Sequence, residues 1–324
     1  MREKATQLLR RLNEHRQARP VLFWLRFITV ATVVIFFAIN RNFWTPDTLF
    51  VVLLALFVVL GQARAFLWRF LPFAALLLVY DSFRGIADDL NSYVHFTEMI
   101  DADRLMFGGL LPTDVLQQWW WHGRVQWYDF YFYFLYTIHF LAPVLLAVLI
   151  WKLRDNLYWP YVGALVGLSF AAFVTYVVFP AAPPWMASDL GYIDPIHRIS
   201  SDIWHAMGVT NFSEAYANIS PNPVAAVPSL HSAYPLLFVL FLVKMFTLRR
   251  MWWAYVYPVS MWIGVVYLGE HYVIDAILGA LYALGAYYAA HAYFNWLVKQ
   301  PPHFKKGLKH GYAWGVGQVH GRIR

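Results

Sequence analysis

Pro228-Ser229-Leu230-His231-Ser232 opens an apolar run that continues to Phe246, and His271-Tyr272-Val273-Ile274-Asp275 opens another that continues to about residue 296. Each run is close to the roughly 20 apolar residues that a helix needs to cross a hydrocarbon core. Two histidines, a serine and an aspartate are costly at a bilayer edge unless they have a task there. If both runs cross the membrane, the two polar stretches emerge on the same side. Their side chains then share one surface.

The composition agrees with a membrane setting. The chain has 324 residues, of which 60% are hydrophobic and 13% charged, and its mean hydropathy is +0.47. Soluble domains carry roughly 25% charged residues, so the expected fold is an all-α polytopic membrane protein. Apolar runs mark eight expected spans, at about 21–39, 48–66, 69–84, 127–151, 159–179, 227–246, 252–269 and 271–296. The third is short, contains Pro72 and ends in Asp81 and Arg84. No cysteine is present, which excludes disulfides, thiolate nucleophiles and cysteine-ligated metals.

Threading eight spans from a cytoplasmic N-terminus puts most basic residues inside, as the positive-inside rule requires. The inner side takes the basic stretch from Arg2 to Arg19, then Arg64, Arg69, Lys152, Arg154, Lys244, Arg249, Arg250 and the tail from Lys299 to Arg324. The outer side keeps only Arg41, Arg84, Arg104, Arg124 and Arg198. The expected organisation is a basic cytoplasmic segment at 1–20, an integral membrane catalytic domain at 21–298 and a basic cytoplasmic tail at 299–324. The first span is long enough to stay as an anchor. The expected location is the plasma (inner) membrane, with the active site facing outward. The basic residues follow topology rather than lining a groove, so no nucleic-acid partner is expected.

Two outer connections are long. At 85–126, Thr113 or Asp114 reads as the cap of a tryptophan-rich helix carrying Trp119-Trp120-Trp121. That helix suits the interface, either to guide an acyl chain or as part of an aromatic belt. The second connection, 180–226, starts Pro180-Ala181-Ala182-Pro183-Pro184-Trp185, a proline content that rules out a continuous helix. It reads as a substrate-facing lid. Neither connection has tight metal-ligand spacing, so no metal and no cofactor are expected.

His271 and Asp275 are four residues apart, which on a helix puts them on one face. The aspartate can accept the Nδ1 proton and leave Nε2 bare as a nucleophile or base. Ser229, His231 and Ser232 follow Pro228 at a helix start, where free N–H groups favour an anion. Ser229 adds a hydroxyl, and His231 can protonate a leaving oxygen. An anion cradle, a proton donor and an oriented histidine make a phosphoryl-transfer site.

Pro228-Ser229-Leu230-His231, followed 40 residues after its histidine by His271-Tyr272-Val273-Ile274-Asp275, resembles the type 2 phosphatidic acid phosphatase and haloperoxidase superfamily. Leu230 in place of the usual glycine, with Phe179-Pro180-Ala181-Ala182-Pro183-Pro184-Trp185 upstream, looks closer to the inositol phosphorylceramide synthase branch. The core motifs fall within 160–295. The resemblance implies a helical bundle with a type 2 phosphatidic acid phosphatase-like core. It implies that His271 attacks phosphorus, Asp275 orients it, His231 carries the proton and Ser229 helps hold the phosphate. It also implies a lipid phosphate or phospholipid as substrate, among membrane lipids, and transfer of a phospho-alcohol such as inositol phosphate to a lipid hydroxyl. The alternatives are a lipid phosphate phosphatase and, from another class, a non-catalytic lipid transporter.

Two departures stand out. Gly264 and Val265 occupy the positions of the superfamily's usual Ser-Arg, and the Lys-x6-Arg-Pro motif is missing from the outer side. The phosphate then needs other cations. Arg84 is the first candidate, with a helix-end ion pair to Asp81 as its other reading; Arg198 is the second and Arg124 the third. Glu270 and Trp185 are candidate substrate contacts, Glu270 reading equally as an exposed interfacial carboxylate. His139 reads as a packed core histidine or a proton relay.

Overall fold

In the computed structural model, residues 46–208 and 222–300 are described, together with scattered helical positions between 21 and 35. The expected first span and both basic termini lie largely outside the described residues. The remainder is a bundle of helices, with no strands longer than isolated bridges among the described residues.

Helix α1 (Pro46–Val59) and α2 (Ala63–Arg84) form an antiparallel pair. Gly61 makes the turn between them with φ +67°, a conformation costly for any residue with a side chain. The break therefore falls at 60–62, and the expected short third span is a continuous helix of 22 residues. Phe57, Phe66 and Phe70 stack at 4.8 and 4.6 Å and meet Trp151, closing the inner end of this pair.

Two helical connectors follow, α3 (Thr97–Met106) and α4 (Pro112–Trp120). The expected Thr113 or Asp114 cap is not formed. Helix α4 starts at Pro112 behind Leu111, with no side-chain cap, because proline at the first position has no N–H to satisfy. Trp119 is exposed, whereas Trp120 and Trp121 are half-buried against the outer core.

The expected span at 127–151 is two helices, α5 (Trp127–Ile138) and α6 (Leu141–Leu153), bent by 56°. Pro143 has no N–H to give the carbonyl of His139 four residues earlier, so the ladder fails at that point. Helix α7 (Tyr158–Val178) then crosses beside α2. Two short helices, α8 (Pro184–Asp189) and α9 (Ile199–Ala206), lie in the second outer connection. The C-terminal part is α10 (Leu230–Phe246), α11 (Val256–Tyr267) and α12 (Val273–Lys299). Helix α12 packs against both α7 and α10.

Among the described residues, α2, α7 with its preceding turn, and α12 are long and apolar enough to cross a bilayer, and the bent α5–α6 pair is a fourth candidate. Helix α1 has 14 residues and α10 has 17, and α11 follows directly on a 3-10 turn at Trp252–Tyr255, where the expected seventh span begins. Gly264 in α11 explains one feature of this packing. A Cβ there would lie 2.8 Å from Phe132 Cδ1, so the position where the superfamily pattern has serine admits α5 instead.

The outer connections are tied together beneath the site. His95 and Ala225 each bridge to Ala181, with backbone bonds from His95 N to Pro180 O (2.8 Å) and Ala181 N to Val224 O (2.8 Å).

Candidate active site

Ser229 caps α10 from extended backbone, and its Oγ accepts the Ser232 N–H at 3.2 Å. The motif is held from three sides. Ser229 N donates to Asp275 O at 3.1 Å, Tyr176 Oη donates to Pro228 O at 3.0 Å, and α12 presses Gly279 against the cap. A Cβ at Gly279 would fall 2.3 Å from the Ser229 carbonyl oxygen. Ser229 is fully buried and does not line the cavity, so its hydroxyl is positioned for the helix cap rather than at the cavity surface.

Between α11 and α12, Gly269 turns the chain with φ +79°, and Val265 O accepts both Glu270 N and His271 N at 3.1 Å. His271 then presents Nδ1 to Asp275 Oδ2 at 3.3 Å, and Oδ2 also accepts the Tyr272 N–H at 2.9 Å. His271 Nε2 lies 3.1 Å from His231 Nδ1. The carboxylate assigns the protons: Asp275 accepts from His271 Nδ1, which leaves Nε2 bare to accept from His231 Nδ1. The spacing of the two motifs is thereby converted into a chain of three side chains, Asp275–His271–His231.

Other residues fix this chain, and the sequence motifs did not single them out for that task. Asp103 on α3 is fully buried and accepts the N–H groups of Val273 (3.0 Å) and Ile274 (2.9 Å), the first two residues of α12. An anion at a helix N-terminus satisfies free donors and the dipole together. Burial pushes the Asp103 carboxyl up to about 6, against the two backbone donors that pull it down. Only its place in a polar outer connection signalled it. The His231 ring is stacked by Tyr136 at 4.0 Å and met by His139 at 3.8 Å. His139 is buried at the α5–α6 bend with Nδ1 on the Tyr136 carbonyl at 2.5 Å.

A cavity of about 580 Å³ opens beside the histidines. Its deep part is lined by apolar side chains of α2, α6 and α7, including Phe70, Phe73 and Leu165. Its outer part holds His231, His271, Arg84, Asp81, Glu270 and Trp185. Arg84 makes the helix-end ion pair of its second expected reading, Nη2 holding Asp81 Oδ1 at 3.2 Å, and it also lines this cavity.

Glu270 is not the exposed carboxylate of one expectation. It is 4% exposed, gripped by Arg198 through Nε (3.0 Å) and Nη2 (3.3 Å), and bonded by the Ser200 hydroxyl. The Arg198 guanidinium also lies 3.8 Å over the Trp185 ring. The second connection is thus clamped to the residue preceding His271, with Trp185 N on Gly269 O at 3.1 Å. Arg124 is exposed and does not line the cavity. Lys152 bonds Gln62 and covers Trp151, far from the motifs in the bundle. No group of three or more histidine, aspartate or glutamate side chains suited to a metal occurs among the described residues.

The chain is 28% identical over 229 residues to the phosphoinositol dihydroceramide synthase of Bacteroides thetaiotaomicron, covering 66% of this chain and 73% of that protein. It is 23% identical over 268 residues to the inositol phosphorylceramide synthase catalytic subunit of Saccharomyces cerevisiae, covering 80% of this chain and 65% of that one. Against the inositol phosphorylceramide synthase of Candida albicans it is 30% identical over 155 residues, 45% of this chain and 32% of that one. The chain therefore spans under two thirds of both fungal relatives. No solved structure matches it. Residues 97–289, which hold the Asp103 cap, the histidine chain and the second outer connection, match the PAP2 superfamily, and the protein belongs to that superfamily.

Proposed function

We propose that the protein is a membrane phosphotransferase that moves inositol phosphate from a phosphatidylinositol-type phosphodiester to the hydroxyl of a ceramide-type lipid. The single observation that carries this reading is the Asp275–His271–His231 chain opening on a cavity with an apolar depth and a charged mouth. The names of the bacterial and fungal relatives, inositol phosphorylceramide and phosphoinositol dihydroceramide synthases, supply the head group and acceptor class.

In this mechanism His271 Nε2 attacks phosphorus and the bond from phosphorus to the glycerolipid oxygen breaks. Asp275 holds the Nδ1 proton and offsets the charge on the ring. His231 gives its proton to the departing alkoxide. The acceptor hydroxyl then passes its proton to His231, its oxygen attacks phosphorus, and the P–N bond to His271 breaks. Arg84 faces the phosphoryl oxygens, and the Ser229 cap holds the backbone around them. Arg198 acts mainly through Glu270 and Trp185, which bound the mouth of the cavity. The active site faces the outer side of the plasma membrane, and both termini are cytoplasmic. Water in place of the lipid hydroxyl would give a phosphatase by the same steps.

The test is purified protein in nanodiscs with labelled phosphatidylinositol, with and without ceramide. A new inositol phospholipid formed only with ceramide supports the reading. Release of inositol phosphate unaffected by ceramide replaces it with hydrolysis. No turnover with this donor or with phosphatidic acid removes the enzyme reading.

A further inference from the structure

Beyond the histidine chain and Arg84, two side chains on the cavity wall carry a buried polar atom without a hydrogen-bond partner among the described residues. One is Asn222, 3% exposed, whose Nδ2 is unsatisfied; the other is Tyr80, 7% exposed, whose hydroxyl is unsatisfied. Buried donors are costly when left unpaired, and nearly all of them in folded proteins find partners. Two such groups on one cavity are an invitation to a ligand.

The orientation of Asn222 is fixed by its neighbours. Its Oδ1 accepts the Val224 N–H at 3.0 Å, an Asx turn that only the oxygen end of the amide can make. The Nδ2 end must then be the free one, and it can only donate. Residues 224–226 are pinned to Ala181 by backbone bonds, so Asn222 sits on an anchored segment. Tyr80 lies four residues before Arg84 on α2, on the same face and about 6 Å deeper along the helix. It stands between the charged mouth and the apolar depth.

We infer that Asn222 and Tyr80 are substrate contacts, a pair of hydrogen-bond groups kept empty for the oxygens of a bound anionic phospholipid. Asn222 Nδ2 donates to a phosphoryl oxygen, supplying one of the donors that Gly264 and Val265 do not. Tyr80 meets the oxygen-bearing neck that joins the phosphate to the chains, while the chains fill the depth lined by Phe70 and Phe73. The inference rests on the proposed function for the identity of the lipid, but the contacts require only that an anionic phospholipid binds.

The experiment compares the wild type, Tyr80→Phe and Asn222→Asp in nanodiscs. It reads melting temperature without ligand, the melting shift produced by short-chain phosphatidylinositol or phosphatidic acid, and KM and kcat on phosphatidylinositol. Tyr80→Phe deletes an unsatisfied group, so its melting temperature without ligand should hold or rise while lipid affinity falls roughly 3–10-fold. Asn222→Asp keeps the acceptor for Val224 and turns the donor into an anion. Its lipid affinity should fall more than about 10-fold at pH 7.5, and the deficit relative to wild type should shrink near pH 5, where a protonated acid can donate again.

A drop in melting temperature for Tyr80→Phe, or wild-type affinity in both variants, overturns the inference. If the wild type binds the lipids without turning either over, the proposed function fails while the binding arm still judges these contacts. If neither lipid shifts the wild-type melting temperature, the inference fails as well.

Discussion

His231 Nδ1 and His271 Nε2 lie 3.1 Å apart, so each ring occupies the place where the other would meet a phosphoryl group. The two nitrogens share one proton in this state, with Asp275 anchoring the far end. In the proposed mechanism a phosphoryl group comes between them, and until it does the attacking lone pair and the proton for the leaving group are held against each other.

His271→Ala should abolish turnover and any covalent phosphoryl intermediate. Asp275→Asn should retain lipid binding but lose roughly 10²–10⁴-fold in kcat, because the amide no longer enforces the Nδ1–H tautomer. Acid-labile labelling of the wild type in single-turnover quench, absent from His271→Ala, is the check. Full activity in His271→Ala would remove it from the nucleophile role.

Gly279→Ala should destabilise the protein by about 1–3 kcal/mol, because its Cβ would fall 2.3 Å from Ser229 O and backbone cannot yield as a side-chain tip can. Activity should fall with it, since the same shift moves the cap that carries His231. Thermal unfolding in detergent and kcat read the two effects together. An unchanged melting temperature would mean that α10 and α12 sit farther apart.

Arg198→Ala should cost about 3–5 kcal/mol, because Glu270 is 4% exposed and would keep a buried charge with its main cation gone. The double variant Arg198→Met with Glu270→Gln should recover much of that loss. Equal stability of the single and double variants in denaturant titration would show that the pair does not hold the second connection to the His271 turn.

Asp103 gives a pH signature. Its folded carboxyl titrates at about 6 against a reference of 3.8, because burial disfavours the charged form. The folded state therefore holds a proton that the unfolded state has released. That contribution to stability is complete below about pH 4 and is lost as pH rises through about 6. Asp103→Asn should remove this slope and loosen the start of α12. Melting temperatures of both proteins between pH 4 and 7 test it, and parallel curves would count against the assignment.

The sequence by itself determined the class of the protein. Its apolar content and charge asymmetry demanded a membrane bundle, and the His271–Asp275 spacing placed those two groups on one helical face, a relation set by local backbone geometry. Local rules failed where the chain meets other helices. Pro143 broke the span expected at 127–151, and the bend set His139 against His231. The 3.1 Å contact between residues 40 apart, the Asp103 cap reaching α12 from 170 residues earlier, and the clamp of Arg198 on Glu270 were decided by tertiary structure alone. Each depends on which helix faces which, and that follows from packing the whole bundle around its cavity, where a single glycine such as Gly279 sets the distance of approach.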